Sequence, residues 1–275
     1  MLKKLLKYDL LSLKRYLIPL LLLTPALSLV AGMISWLSVK IDQPLLFLGV
    51  ESIYWFSILA LVLSVALLPV LLVVYYYKGL YSDTGYLTLL LPVKRRQLIY
   101  SKLLCAFCTT VVYIVVAFFS FIFAFGAGIA GATGHNPFYG YVVVFNAIGE
   151  FLTTAPLNAV LLVIELIVYL LTWLILEFSD YYLGVTLGAA VFQGKGKIWG
   201  GILFCVVTES AVSTVLSLIE LAISGGILGI GSVDAFDSPV TLQVFLIVGI
   251  VLRLAVAIGV TLFNIRMTEK KLNLA

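Results

Sequence analysis

Six stretches of this chain stay apolar for about the 20 residues a helix needs to cross a bilayer core, or for longer. They cover 16–37, 52–75, 99–126, 157–192, 198–230 and 242–263. No water meets exposed amides in lipid, so a crossing segment must satisfy its own backbone, which a helix does within one stretch. A soluble core would have to hide all six. Only 11% of the residues are charged, where soluble domains carry about 25%. The expectation is an all-α, polytopic membrane protein whose single transmembrane domain takes in residues 1–275. The fourth and fifth stretches exceed a perpendicular span and are expected to tilt, break or run past the hydrocarbon. Glu177, Ser179, Asp180, Tyr181 and Tyr182 form a polar belt in the fourth. Gly225, Gly226, Gly229 and Gly231 suggest a bend or a close approach in the fifth.

The basic residues orient the spans. Lys3, Lys4, Lys7, Lys14 and Arg15 precede the first; Lys78, Lys94, Arg95, Arg96 and Lys102 lie between the second and third. Lys195 and Lys197 follow the fourth, and Arg266, Lys270 and Lys271 follow the sixth. With six spans all of these share one side, while the other holds Lys40 against Asp42, Glu51, Glu150, Asp234 and Asp237. The positive-inside rule then places both termini in the cytoplasm. Residues 2–15 alternate apolar and basic at helical steps, which describes a helix lying in the inner interface among anionic lipids. No cleavage site precedes the first apolar run, so this arm is expected to remain in the mature protein. The charge follows the membrane rather than a patch, so nucleic acid is not an expected partner. Residues 127–156 form the longest outer connection, expected as a Gly-rich loop with a re-entrant or interface-lying segment, and His135 in it reads as a surface residue.

Little points to catalysis. Cys105 and Cys108 lack a second pair or a nearby His for a metal, and Gly194-Lys195-Gly196-Lys197 lacks the Ser or Thr and the strand of a phosphate loop. The chain is therefore expected to bind no cofactor and not to be an enzyme by itself. Ionisable residues inside the spans are costly and mark function or tight pairing. These are Glu165, Glu177, Glu209, Glu220 and Arg253. Counting inward from Lys197 and from Asn264 puts Glu209 and Arg253 at similar depths, roughly 16–18 Å by helix rise. Glu209 is thus the expected partner of Arg253, with Glu177 competing for that place or lining a polar path. Pro19, Pro25 and Pro69 stand where they can kink the first two spans.

The segment 76–98 is the polar interruption that a plain linker does not explain. Ser82, Asp83, Thr84 and Gly85 favour a turn, Asp83 or Thr84 can cap a short helix over 85–90, and Pro92 stops it. That shape presents Leu89, Leu90 and Leu91 beside Lys94, Arg95 and Arg96, either as a docking surface or as a solvated basic loop. The stretch YKGLYSDTGYLTLLLPVKRRQLIYSKLL, residues 77–104, resembles one that recurs in permease subunits of bacterial ABC transporters of the exporter-like class. The basic N-terminal arm, six spans and the basic turn after a long fourth span extend the resemblance coarsely over most of the chain. In that family a coupling helix between spans two and three docks into a cytoplasmic ATPase. The resemblance implies that Asp83, Thr84, Gly85, Tyr86, Leu87, Leu89, Leu90 and Leu91 form that contact, ended by Pro92 and edged by Lys94, Arg95 and Arg96. Thr84 stands where an acidic residue is common. The family further implies a second permease subunit, identical or not, two ATPase copies carrying ATP-Mg, and export of a hydrophobic or peptide-like substrate across a bacterial plasma membrane. The alternatives are a non-transporting immunity or assembly protein and an ion-coupled secondary transporter.

Overall fold

A computed structural model describes residues 2–38, 40–41, 44–81, 93, 95–154, 156–192, 197–226 and 239–271. Among them the chain is all-α, with seven helices: α1 (Leu2–Ser38), α2 (Pro44–Tyr81), α3 (Arg95–Ala132), α4 (Tyr139–Thr154), α5 (Leu157–Val191), α6 (Lys197–Gly226) and α7 (Pro239–Lys271). Six of these, all but α4, are long and apolar enough to cross a membrane.

α1, α2, α3 and α7 outrun their apolar stretches at both ends. The sequence suggested an interface helix over 2–15 and then a separate span, but α1 is one helix of 37 residues. No Gly, Pro or turn-forming cluster separates Lys14 from Tyr16, so nothing ends the helix there. The polar belt does not interrupt α5 either: the helix is continuous from Leu157 to Val191, Ser179 donates back to the Ile175 carbonyl, and Tyr182 reaches the Lys102 carbonyl. The connection after α3 contains α4, whose 16 residues span about 24 Å, short of the roughly 30 Å hydrocarbon thickness.

The residues cluster into two compact units that share α1, α2 and α3. One comprises Tyr8–Leu72 and Cys108–Ala155. Its apolar centre is Ala31, Ile58, Leu61 and Ala124, with Leu27, Tyr54 and Phe121 against it. Lipid offers helices no hydrophobic drive to associate, so close backbone approach and interhelical hydrogen bonds must hold them. Both are present. A Cβ added at Gly126 of α3 would fall 2.7 Å from the Cα of Gly140 on α4. The Tyr113 hydroxyl stands 2.5 Å from Thr24 Oγ1 and donates to the Ser64 carbonyl at 3.0 Å, which joins α3 to α1 and α2. Tyr113→Phe deletes both bonds with no change of shape. The expected cost is about 1 kcal/mol, the usual size for such bonds in a bilayer, read as a lower unfolding free energy in mixed micelles.

The other unit comprises Met1–Lys7, Val73–Phe107 and Pro156–Ala275. Here α5 is the central helix, since α6 and α7 each pack extensively on it and only slightly on each other. Gly184 and Gly188, one turn apart, let α6 touch the α5 backbone. Added Cβ atoms there would lie 2.5 Å from Cys205 Cα and from the Gly200 and Gly201 backbone. Leu176, Leu216 and Ala257 close the apolar seam among the three helices.

Candidate functional site

The three-helix seam opens into a cavity of about 150 Å³. Trp173, Glu177 and Asp180 reach it from α5 at three- and four-residue steps, so they share one helix face. The same spacing on α6 contributes Glu209, Ser213, Ser217 and Glu220, and α7 adds Arg253. Four carboxyl side chains and one guanidinium therefore line one space inside the membrane-spanning helices.

Arg253 meets Glu220, not Glu209: its Nη1 lies 2.5 Å from Glu220 Oε1, with the two side chains 11% and 15% exposed. The contact is close, but it is angled off hydrogen-bond alignment. The guanidinium also sits over the Tyr169 ring, 4.2 Å from its centroid. The depth count from Asn264 misplaced Arg253 because α7 continues to Lys271, two turns farther. Direction completes the explanation. Helical side chains lean toward their own N-terminus. α5 is antiparallel to α6, as Gly184 against Cys205 and then Gly188 against Gly200 show, and runs with α7, as Ser179 against Thr261 and then Thr186 against Asn264 show. Arg253 and Glu220 accordingly lean toward each other, while Glu209 leans away; the Arg253 bond back to the Gly249 carbonyl shows this lean.

The remaining acids occupy the other end of the cavity. Glu209 and Glu220 are 11 residues apart on α6, about 16 Å. Glu177 accepts a hydrogen bond from the Tyr181 side chain. Asp180 is 4% exposed, and among the described residues its Oδ1 has no hydrogen-bond partner. Glu165, outside the cavity, also has one buried oxygen without a partner among the described residues. No three His, Cys, Asp or Glu side chains among the described residues come together to hold a metal ion.

A second polar assembly lies where α2 ends and α3 begins. Tyr76 is fully buried and stacks on Tyr182 of α5, with ring centroids 3.8 Å apart. Tyr81, the last residue of α2, donates to Thr186 Oγ1 at 2.9 Å, and that oxygen stands 2.7 Å from Asn264 Oδ1 on α7. Arg95, the first residue of α3, donates to the carbonyls of Thr268 and Glu269, both at 3.1 Å. Those carbonyls belong to the last turn of α7, where helices leave acceptors open and favour positive charge. Arg96 pairs with Glu269 at 3.2 Å, but at 65% and 39% exposure this pair is worth about 1 kcal/mol or less. Lys102 is buried, with Nζ 4.6 Å from the Tyr75 ring centroid and close against Gly79.

Of the residues singled out in the sequence, Glu177, Glu209 and Arg253 share the cavity, and Arg95 and Arg96 engage the end of α7. Asp83, Thr84, Gly85, Tyr86, Leu87, Leu89, Leu90, Leu91, Pro92 and Lys94 lie outside the described residues. Sequence reasoning noted Asp180 and Glu220 without giving them a role, took Tyr76 for an aromatic at a span end and Asn264 for a depth marker, and passed over Thr186. The missed signal was polar residues at i, i+4 spacing, such as Tyr182 and Thr186, within otherwise apolar helices. Comparison with protein-family models, curated proteins and solved structures gave no match.

Proposed function

We propose that the chain is the membrane-spanning subunit of an ATP-driven exporter in a bacterial plasma membrane. It supplies the path, and a separate cytoplasmic ATPase supplies the energy. Two membrane subunits and two ATPase copies make the working assembly, with both termini of this chain and the 82–94 segment facing the cytoplasm. One observation carries the reading beyond the resemblance of residues 77–104. Both flanks of the 82–94 segment are tied to the bundle that contains the cavity, Tyr81 through Thr186 and Arg95 through the final carbonyls of α7. A push on that segment would therefore act on α5 and α7 directly, as coupling to an ATPase requires.

The test is co-purification with the cognate ATPase and measurement of ATP turnover by the complex. Leu89→Asp with Leu90→Asp is expected to weaken association by about tenfold or more, since two charges replace apolar contact area. Arg95→Ala is expected to keep association while the membrane subunit loses its effect on turnover. Unchanged association and turnover in the double variant would overturn the coupling contact. The cavity acids favour one other reading, an ion-coupled transporter, which predicts substrate movement in vesicles that contain this chain alone.

A further inference from the structure

We propose that the cavity among α5, α6 and α7 binds the protonated amine of an organic cation with an apolar body, and that Asp180 accepts its N–H. The proposal builds on the transport reading by naming a substrate class. Charge comes first. Arg253 is taken by Glu220, so among the described residues Glu177, Asp180 and Glu209 have no guanidinium at their end of the space. Three carboxyl groups gathered inside a membrane-spanning bundle need a counter-charge or a bound proton, because ionised groups there are expensive.

Asp180 indicates which kind of counter-charge fits. It is nearly inaccessible, it lines the cavity, and among the described residues its Oδ1 is an acceptor without a donor. A buried acceptor left open is costly, and a charged donor satisfies it best. The carboxyl groups are spread along the wall and do not converge into a metal-binding cluster among the described residues. That arrangement suits a cation of several atoms better than a bare ion. Trp173 puts an aromatic side chain in the wall, a residue type that attracts an ammonium group, and Leu176, Val212 and Leu216 provide apolar wall for its substituent. A volume near 150 Å³ equals about five waters, enough for an ammonium group and several carbons.

The test uses the full chain in lipid nanodiscs without an ATPase. Binding of hexylammonium is followed by the shift of the thermal unfolding midpoint, with 1-hexanol, hexyltrimethylammonium and sodium chloride as comparison probes and empty nanodiscs as the blank. Hexylammonium is expected to bind the native chain at least about tenfold more tightly than hexanol or hexyltrimethylammonium, a difference of about 1.4 kcal/mol. Asp180→Asn is expected to remove that preference. Removing a buried charge does not threaten folding as its addition would, and Glu209→Gln, expected to weaken binding several-fold, provides a second route. Equal binding of amine and alcohol, an unchanged preference in both variants, or full competition by sodium would overturn the proposal. Binding in a chain whose Leu89→Asp, Leu90→Asp variant leaves ATP turnover intact would uphold the amine site and remove the coupling contact. The reverse result would do the opposite.

Discussion

Arg253→Ala is expected to cost about 3–5 kcal/mol of folding free energy and most of the folded yield. The substitution leaves Glu220 buried beside Tyr169 with its cation gone, and an uncompensated charge within a membrane-spanning bundle has no water to turn to. Glu220→Ala should cost a similar amount, because among the described residues Arg253 then keeps only the Tyr169 ring and its own helix carbonyl. Replacing both by apolar residues, Arg253→Met with Glu220→Leu, should recover most of the loss, since a matched buried pair contributes little net stability. Arg253→Ala with Glu209→Ala should recover nothing. Unfolding in mixed micelles and the monodisperse fraction on size exclusion measure all four. Rescue through Glu209 in place of Glu220 would contradict the pairing described above.

Gly188→Val is expected to prevent α5 and α6 from closing, with a loss above about 3 kcal/mol or no folded protein. Overpacking normally costs about 1–3 kcal/mol because flexible side chains give way. Here the new Cβ meets backbone, at 2.5 Å from atoms of both Gly200 and Gly201, and two helix backbones have no side chain to move aside. The contact one turn along, Gly184 against Cys205 Cα, would be pulled apart with it. Helix association in lipid depends on such close approach, so the effect should exceed that of the same change in a water-facing helix. Gly259→Ala in α7 is the control. Nothing lies within 4 Å of an added Cβ there, and the smaller backbone entropy loss should leave stability unchanged or up to about 1 kcal/mol higher. If Gly188→Val and Gly259→Ala behave alike, backbone contact is not what joins α5 to α6.

The six crossing helices were legible because hydropathy sums over many residues, so no single misread position moves the result. Helix ends were less legible. α1 passes through residue 15 and α7 through Asn264, because polar and charged residues continue a helix whenever no Gly, Pro or cap stops it. That two-turn error in the end of α7, together with the unread direction of the side chains, selected Glu209 over Glu220. Asp180 shows the same limit from another side. Its presence in a polar belt was visible, but that its Oδ1 has no donor among the described residues was not, since a missing donor is a property of what surrounds it.

The linear order of residues determined that this chain enters a membrane and how many of its helices can cross. These follow from one-dimensional sums against a slab of fixed thickness. Only the tertiary structure decided which carboxylate faces Arg253, that Gly184 and Gly188 bring α6 onto the α5 backbone, and that Tyr81 and Arg95 anchor the flanks of the 82–94 segment to α5 and α7. Pairing depends on side-chain direction, helix polarity and separations of a few ångströms, and none of these is a sum along the chain.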